Sequence, residues 1–413
     1  MYASVRDVPQ AGTPTGRART RVGGTVLALG TVSLLTDVSS EMVAAVLPVY
    51  LTLTLGLSPL AFGVVDGVYQ GTTVLVRLAA AAAADRWQRP KATAVLGYGL
   101  SALCKLGLLL ASGAAALSAV LAVDRTGKGL RTAPRDTLIA DAAPAGALGR
   151  AFGVHRAMDT TGALLGPLLA VALLFYLPGD YDSLFLVSAV FAVLGLGVLV
   201  TFVPERRRAA DRPPVRWRQV AALAGHRPVR RVALTGAVLG LLTVSDGFLY
   251  LLVREREAVS AALFPLLFVG TAAVYLILAV PLGRLTDRVG RVPVIVAGHV
   301  ALLAAYAALL LLPADGLLLA GVVVAALGVY YAATDGVLAA LAAEIGPDDV
   351  RTSGIALVQT AVAAGRSASA LLFGLLWTLT GQWTALAGFA VALVVVLPAA
   401  RWALRDLRVG PRA

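Results

Sequence analysis

Cysteine, histidine and methionine are scarce in this sequence of 413 residues, with one, three and three copies respectively. A single thiol, Cys104, cannot form an intrachain disulfide, which excludes a disulfide-rich secreted scaffold. No group of cysteines and histidines has the spacing of a metal site, and no GxxxxGKS or GxxxxGKT loop for ATP phosphates is present. We therefore expect no metal and no other cofactor, and no direct use of ATP.

Charged residues are also scarce, at 14% of the chain against about 25% in soluble proteins. Hydrophobic residues make up 59%, and the mean hydropathy is +0.83. This surplus must face something other than water, which excludes a soluble enzyme and a disordered chain. The net charge of +12 would suit nucleic acid, but the basic residues form short clusters between long apolar runs. We expect the partner to be the lipid bilayer and not a nucleic acid.

Twelve apolar segments are long enough to cross a bilayer, which takes about 20 residues in a helix. None shows the alternation of a barrel strand, so the sequence predicts an all-α polytopic membrane protein with twelve transmembrane helices in two pseudo-symmetric six-helix bundles. The predicted spans are residues 25–52, 60–83, 93–112, 114–133, 152–176, 183–203, 232–253, 261–282, 293–313, 316–337, 353–379 and 383–404.

The basic clusters fall in alternate loops, and positive charge marks cytoplasmic loops. Representative residues are Arg17, Arg19, Arg21, Arg89, Lys91, Arg131, Arg135, Arg150 and Arg351. The opposite loops carry Asp180, Asp182 and Asp315 instead. We expect a multi-pass protein of the inner or plasma membrane with both termini in the cytoplasm.

The two halves repeat a pattern. Asp85 precedes Asp287 by 287 − 85 = 202 residues, and Arg150 precedes Arg351 by 351 − 150 = 201. We expect bundles at residues 23–204 and 230–404, a basic cytoplasmic linker at 205–229, and cytoplasmic tails at 1–22 and 405–413. Parallel repeats of this kind build transporters whose halves rock about a central site.

The segment Gly283-x-Leu285-x-Asp287-Arg288-x-Gly290-Arg291 resembles the loop motif of the major facilitator superfamily, and the resemblance extends along the whole chain. The first-half copy keeps Asp85 and Arg86 but has Ala81 and Gln88 where the family has glycine. In that family the motif latches cytoplasmic helix ends. The resemblance implies a cytoplasmic gate at Gly283, Asp287, Arg288, Gly290 and Arg291, with Asp85 and Arg86 as a second copy.

Two further motifs resemble those of a bacterial, drug/proton-antiporter-like branch. Leu121, Arg125, Lys128 and Gly129 are similar to the fourth-helix motif, whose arginine is associated with proton coupling. Gly162, Gly166 and Pro167 are similar to the fifth-helix motif of antiporters, with Ala170 in place of its last glycine. Tight helix packing by small residues is the alternative explanation of the second motif.

Charges inside the spans are the candidate functional residues, because each costs about 2.5–3.5 kcal/mol at the bilayer centre. Asp37, Glu41 and Asp66 are candidate proton sites. Arg77, Arg125 and Arg156 are candidate counter-charges or clamps for an anionic solute. Asp159, Asp246, Asp335 and Arg366 are further candidates for the same cavity. The alternative to a functional role is that these charges form structural ion pairs, or that some of them, such as Lys128 and Arg156, reach water at the membrane surface. We interpret Tyr330 and Tyr331 as packing residues.

These observations predict a secondary active transporter, not an enzyme, that moves a small organic solute by alternating access. We expect a monomer that exports this solute in exchange for protons. A proton-coupled importer or facilitator of an anionic solute or metal chelate is the alternative within this class. A non-transporting membrane sensor or a channel is the alternative from another class.

Overall fold

The computed structural model describes residues 23–87, 90–143, 148–205, 225–313, 317–345 and 351–405. Within these ranges only the backbone is described at residues 73–75, 77–87, 336, 339, 343, 345 and 351–353. The predicted N-terminal tail, most of the linker and the C-terminal tail beyond Arg405 lie outside the described residues.

Helices occupy each of the predicted spans, which confirms the all-α prediction. In the first half they are α1 (Gly24–Val49, continued by a π-helical turn at Tyr50–Thr54), α2 (Pro59–Trp87), α3 (Pro90–Leu110), α4 (Gly113–Ala142), α5 (Leu148–Tyr176) and α6 (Tyr181–Phe202). In the second half they are α7 (Arg227–Leu241), α8 (Asp246–Glu257), α9 (Pro265–Val289), α10 (Arg291–Leu311), α11 (Leu318–Ile345), α12 (Arg351–Thr380) and α13 (Gln382–Leu404).

Ten of the spans in the described part of the chain are long and apolar enough to cross a membrane, with α7 and α8 together forming one of them. The other two, α2 and α4, are as long but carry more polar and ionisable residues. Large apolar side chains such as Leu186, Val190 and Val193 of α6 are about half exposed, a surface that suits lipid chains. The chain is a multi-pass membrane protein.

Each half repeats one packing pattern. In the first half α1 packs on α5, α3 packs on α4 and α6, and α2 packs on α4. In the second half α7 packs on α12, α10 packs on α11 and α13, and α9 packs on α11. Each helix pair of the first half corresponds to a pair of the second half whose members lie six spans later in the chain. We therefore propose the division into bundles at residues 23–204 and 230–404.

The seventh span is broken, although the sequence predicts one continuous helix over residues 232–253. Its backbone leaves the helical path between Leu241 and Asp246. The Tyr306 hydroxyl accepts a hydrogen bond from Val244 N at 2.7 Å and donates to Leu242 O at 2.9 Å. Ser369 Oγ donates to Thr243 O at 2.8 Å. Irregular backbone is stable inside a membrane protein only where its free N–H and C=O groups find hydrogen-bond partners. Here those partners come from α10 and α12.

One end of the molecule is closed by contact between the two halves. Gly63, Gly67 and Gly71 of α2 lie one turn apart and face α12. Ser367 Oγ donates to Gly67 O at 2.5 Å, and Leu60 N donates to Thr378 Oγ1 at 3.2 Å. Because glycine has no Cβ, the two helix backbones touch along this seam, which we call the α2–α12 seam.

Replacement of Gly63 by valine is expected to wedge the α2–α12 seam apart, because a Cβ there would collide with the Ala370 carbonyl oxygen. Leu60→Cys and Thr378→Cys, introduced with Cys104→Ser, provide a cross-linking pair across the seam. We expect the disulfide yield of this pair to fall several-fold with Gly63→Val. Gly197→Val on the exposed face of α6, where a Cβ meets nothing within 4 Å, is the matched control. An unchanged yield would show that the seam tolerates a side chain.

Candidate functional site: a charged cavity between the halves

Two adjoining cavities of about 300 and 250 Å³ lie between the halves. Glu41, Asp246, Phe268 and Tyr331 line both of them, so they form one space, which we call the central cavity. Asp66 and Asp335 also line it, and Arg366 is the one cation among its described lining residues. A space of this size at the interface of two bundles is typical of a small-molecule site.

Two of the four carboxylates in the cavity wall have cationic partners. Glu41 of α1 lies 3.5 Å from Lys128 Nζ of α4, and both side chains are partly exposed. Asp335 of α11 lies 3.7 Å from an Arg366 guanidinium nitrogen of α12. Arg366 also donates to the Tyr330 hydroxyl at 2.9 Å. In each of these pairs, the carboxylate at the cavity wall has a counter-charge within ion-pair distance.

The other two carboxylates are held by neutral donors. Asp66 of α2 accepts from Gln70 Nε2 at 3.0 Å, and Ser245 of the opposite half lines the same part of the cavity. Asp246, the first residue of α8, accepts from the Tyr331 hydroxyl at 2.8 Å. Among the described residues, neither carboxylate has a cation within ion-pair distance. Asp66 and Asp246 can therefore take up a proton or a cationic group from the cavity.

A buried ion cluster lies behind the cavity wall. Lys105 Nζ of α3 is 3.3 Å from Asp124 Oδ1, and Arg125 Nη2 is 3.6 Å from Asp124 Oδ2. Lys105 and Asp124 are each 2% exposed. The Arg125 guanidinium also hydrogen-bonds the Tyr69 hydroxyl and lies over the Tyr69 ring. Tyr69 lines the cavity, so Arg125 is connected to the cavity wall through that ring.

A second cluster lies toward the end of the bundle that contains the N-terminus of α1. Asp159 of α5 is bridged by Arg135 at 3.6 Å and by Arg156 at 3.2 Å. Ser33 Oγ and His155 Nε2 are 2.8 Å apart, and both residues are buried. Asp37 lies 4.0 Å from Arg131. The Arg156 side chain is 74% exposed.

The structure brings together only part of the predicted set. Glu41, Asp66, Asp246, Asp335 and Arg366 meet in the wall of the central cavity. Arg125 lies behind that wall, Arg156 and Asp159 pair with each other, and the Arg77 side chain lies outside the described residues.

The described cations within ion-pair distance of Asp37 and Glu41 are Arg131 and Lys128, which are not among the candidate counter-charges Arg77, Arg125 and Arg156. The sequence predicts that the fourth span ends at residue 133 and counts Arg131 and Arg135 among the basic loop residues, but α4 continues to Ala142. Arg131 is buried within α4, and the longer helix carries Arg135 to Asp159. Asp124, Lys128, Arg131 and Arg135 follow one another at intervals of three or four residues. This helical spacing along one face was the signal available in the sequence.

The gate motif lies at the corner between α9 and α10. Gly290 has φ 88°, a conformation that favours glycine, and it turns the chain from α9 into α10. Gly283, Asp287 and Arg288 are exposed, and neither charged residue forms an ion pair with a described residue. Arg291 instead pairs with Glu344 of α11. The side chains of Asp85 and Arg86 lie outside the described residues.

The antiporter-like motif lies where α5 crosses α1. A Cβ on Gly166 would come within 2.7 Å of Val38 O, and Gly162 likewise faces the backbone at Leu34. Close backbone contact accounts for both glycines. Pro167, one residue on, lines the central cavity.

Asp124→Asn is expected to destabilise the protein by about 3–5 kcal/mol, because it leaves Lys105 and Arg125 buried without their counter-charge. The thermal unfolding midpoint of the purified protein measures this loss. Arg156→Gln, which removes an exposed charge, is the control and should change the midpoint little. The double variant Lys105→Met with Asp124→Leu should recover part of the stability. An Asp124→Asn midpoint equal to that of the unmodified protein would contradict the buried pairing.

Comparison with known proteins identifies the family. A sequence profile of the Major Facilitator Superfamily matches residues 29–256 and 251–413. The chain is 28% identical over 381 residues to the MFS-type transporter MJ1317 of Methanocaldococcus jannaschii, a match that covers 89% of this chain and 92% of that protein. It is also 28% identical over 270 residues to the protein Rv2265 of Mycobacterium tuberculosis, covering 64% and 66% respectively.

Solved structures show the same fold at low identity. The nucleoside transporter NupG is similar with a TM-score of 0.80 and 15% identity, over 92% of this chain and 99% of that one. A POT family transporter in complex with a thioalcohol-conjugated peptide has a TM-score of 0.75 and 13% identity, over 92% and 96%. A bacterial homologue of the human lysosomal transporter Spinster, solved in an inward-facing, occupied conformation, has a TM-score of 0.70 and 16% identity, over 94% and 98%. With the profile match along both halves, the chain belongs to the Major Facilitator Superfamily and is a transporter of that family.

Proposed function

We propose that this transporter exports a small organic solute in exchange for protons, by alternating access across the cytoplasmic membrane. The observation that carries the proposal is the central cavity, in which Asp66 and Asp246 are held by neutral donors. These two carboxylates come from opposite halves of the protein. A proton bound between the halves therefore acts on the interface that must open and close.

The electrostatic argument for proton coupling rests on desolvation. A carboxylate in an apolar cavity loses hydration, and a neutral hydrogen bond replaces only part of it. Binding of a proton relieves this cost when the site faces one side of the membrane. Rehydration from the other side favours release of the proton. A carboxylate that already has a cation beside it, such as Glu41 or Asp335, gains less from protonation.

The state of the structure fits an exporter that loads from the cytoplasm. The α2–α12 seam and the contact between Phe62 and Phe248, with ring centroids 4.6 Å apart, close the end where α2 begins. From the distribution of lysine and arginine we infer that this end lies outside the cell and that both termini lie in the cytoplasm. The cavity then faces the cytoplasm, and the exposed Asp287 and Arg288 are available to latch the cytoplasmic end in the opposite state.

Export and its coupling are tested by metabolite profiling of cells and medium, with and without expression of the protein. We expect at least one solute to leave expressing cells faster, and a protonophore to abolish the difference. Asp246→Asn and Asp66→Asn should each lower this export about tenfold or more, since an amide cannot carry the proton. Asp182→Asn, in the exposed first turn of α6, is the matched control and should export normally.

Export that continues unchanged in both cavity variants, or in the presence of the protonophore, would contradict proton coupling. Accumulation of a solute inside expressing cells would contradict the proposed direction and indicate import by the same site.

A further inference from the structure

The charge balance of the central cavity indicates the class of solute. Its described walls contribute four carboxylates, of which Glu41 is paired with Lys128 and Asp335 with Arg366. The two that remain, Asp66 and Asp246, have no described cation within ion-pair distance, and Arg366 acts on Asp246 only from farther away. The four carboxylates thus outnumber the two cations paired with them. A solute that carries positive charge would complete the site.

The two carboxylates are adjacent across the interface of the halves. Asp66 lines the same part of the cavity as Ser245 and Asp246, two consecutive residues of the opposite half. The break in the seventh span makes this possible, because it ends α7 before Ser245 and starts α8 at Asp246. One cationic group of a bound solute can therefore lie near both carboxylates and thus touch both halves.

Aromatic rings also line the wall beside these carboxylates. Phe268 and Tyr331 line both parts of the cavity, and Phe62 and Tyr69 line the part that contains Asp66. Rings next to carboxylates bind organic cations well, because the ring face attracts the cation and the ring surface covers the apolar part of the solute.

We propose that the central cavity binds a protonated organic amine that carries an aromatic group. The ammonium lies between Asp66 and Asp246, and the aromatic group packs against Phe268 and Tyr331. This inference rests on the proposed transport function and gives it a substrate class. A proton and an amine then compete for the same two carboxylates, which is the competition that an exchanger requires.

The same geometry argues against an anionic solute. Arg125, Arg131 and Arg135 each lie beside a carboxylate and do not line the cavity. Arg366 does line it but is already engaged by Asp335 and Tyr330. An anion would meet Asp66 and Asp246 with no cation left to receive it, and such unbalanced like charge excludes a ligand.

Compounds that share a ring and differ only in charge test this proposal. Tryptamine, tryptophol and indole-3-acetate form one series with a cation, a neutral alcohol and an anion; phenethylamine, 2-phenylethanol and phenylacetate form a second. Binding is measured by titration calorimetry on the full-length protein in lipid nanodiscs at a fixed pH of about 7, where the amines are protonated. We expect at least one amine to bind tenfold or more tightly than its matched alcohol, and the matched acid to bind more weakly still.

Cavity variants give the second readout. Asp66→Asn and Asp246→Asn should each weaken binding of that amine about tenfold, while Asp246→Glu should retain more of the affinity because it keeps the charge. Asp182→Asn should bind like the unmodified protein. Size-exclusion profiles and thermal unfolding midpoints show whether each variant is folded.

Binding of an acid as tight as that of its amine, no binding of either amine, or full amine affinity in both folded asparagine variants would overturn the inference. The test is independent of proton coupling, since the pH is fixed and no transport is measured. Selective amine binding together with export that ignores the protonophore would remove the coupling mechanism and leave the substrate class. Proton-dependent export without amine selectivity would contradict the substrate class and leave the coupling mechanism.

Discussion

The cost of placing charge in an apolar, poorly hydrated interior is the constraint on which the rest of this structure depends. The protein meets it in three ways. Lys105, Asp124 and Arg125 are buried and mutually paired behind the cavity. Glu41 and Asp335 are paired at the cavity wall. Asp66 and Asp246 are held only by neutral donors among the described residues, and they lie where a solute or a proton can reach them.

The two halves share their geometry but not their chemistry. In the first half, the ion pair of Glu41 and Lys128 joins α1 to α4. The equivalent helices of the second half, α8 and α11, are joined by the hydrogen bond from Tyr331 to Asp246. Helix packing thus follows the repeat, whereas the charges do not. At this pair of equivalent helix contacts, the first half holds a carboxylate with a cation and the second half holds one with a neutral hydroxyl.

The interface between the halves combines close contact with few specific bonds. Glycines bring α2 and α12 together without interlocking side chains, and the hydrogen bonds across the seam involve Leu60, Gly67, Ser367 and Thr378. No ion pair between described residues of α2 and α12 crosses this seam. Asp66 and Ser245, which line the cavity, lie next to this seam.

The sequence by itself determined the membrane class, the twelve spans, the twofold repeat and the family, because apolar length and repeated motifs are local properties of the chain. It also identified Glu41, Asp66, Asp246, Asp335 and Arg366 as intramembrane charges. Only the tertiary structure decided their partners, since pairing depends on which helix faces meet. Lys128 and Arg131 are the counter-charges because the face of α4 that carries them packs toward Glu41 and Asp37 of α1. The break before Asp246 depends on Tyr306 and Ser369, far away in the sequence, which satisfy the freed backbone groups.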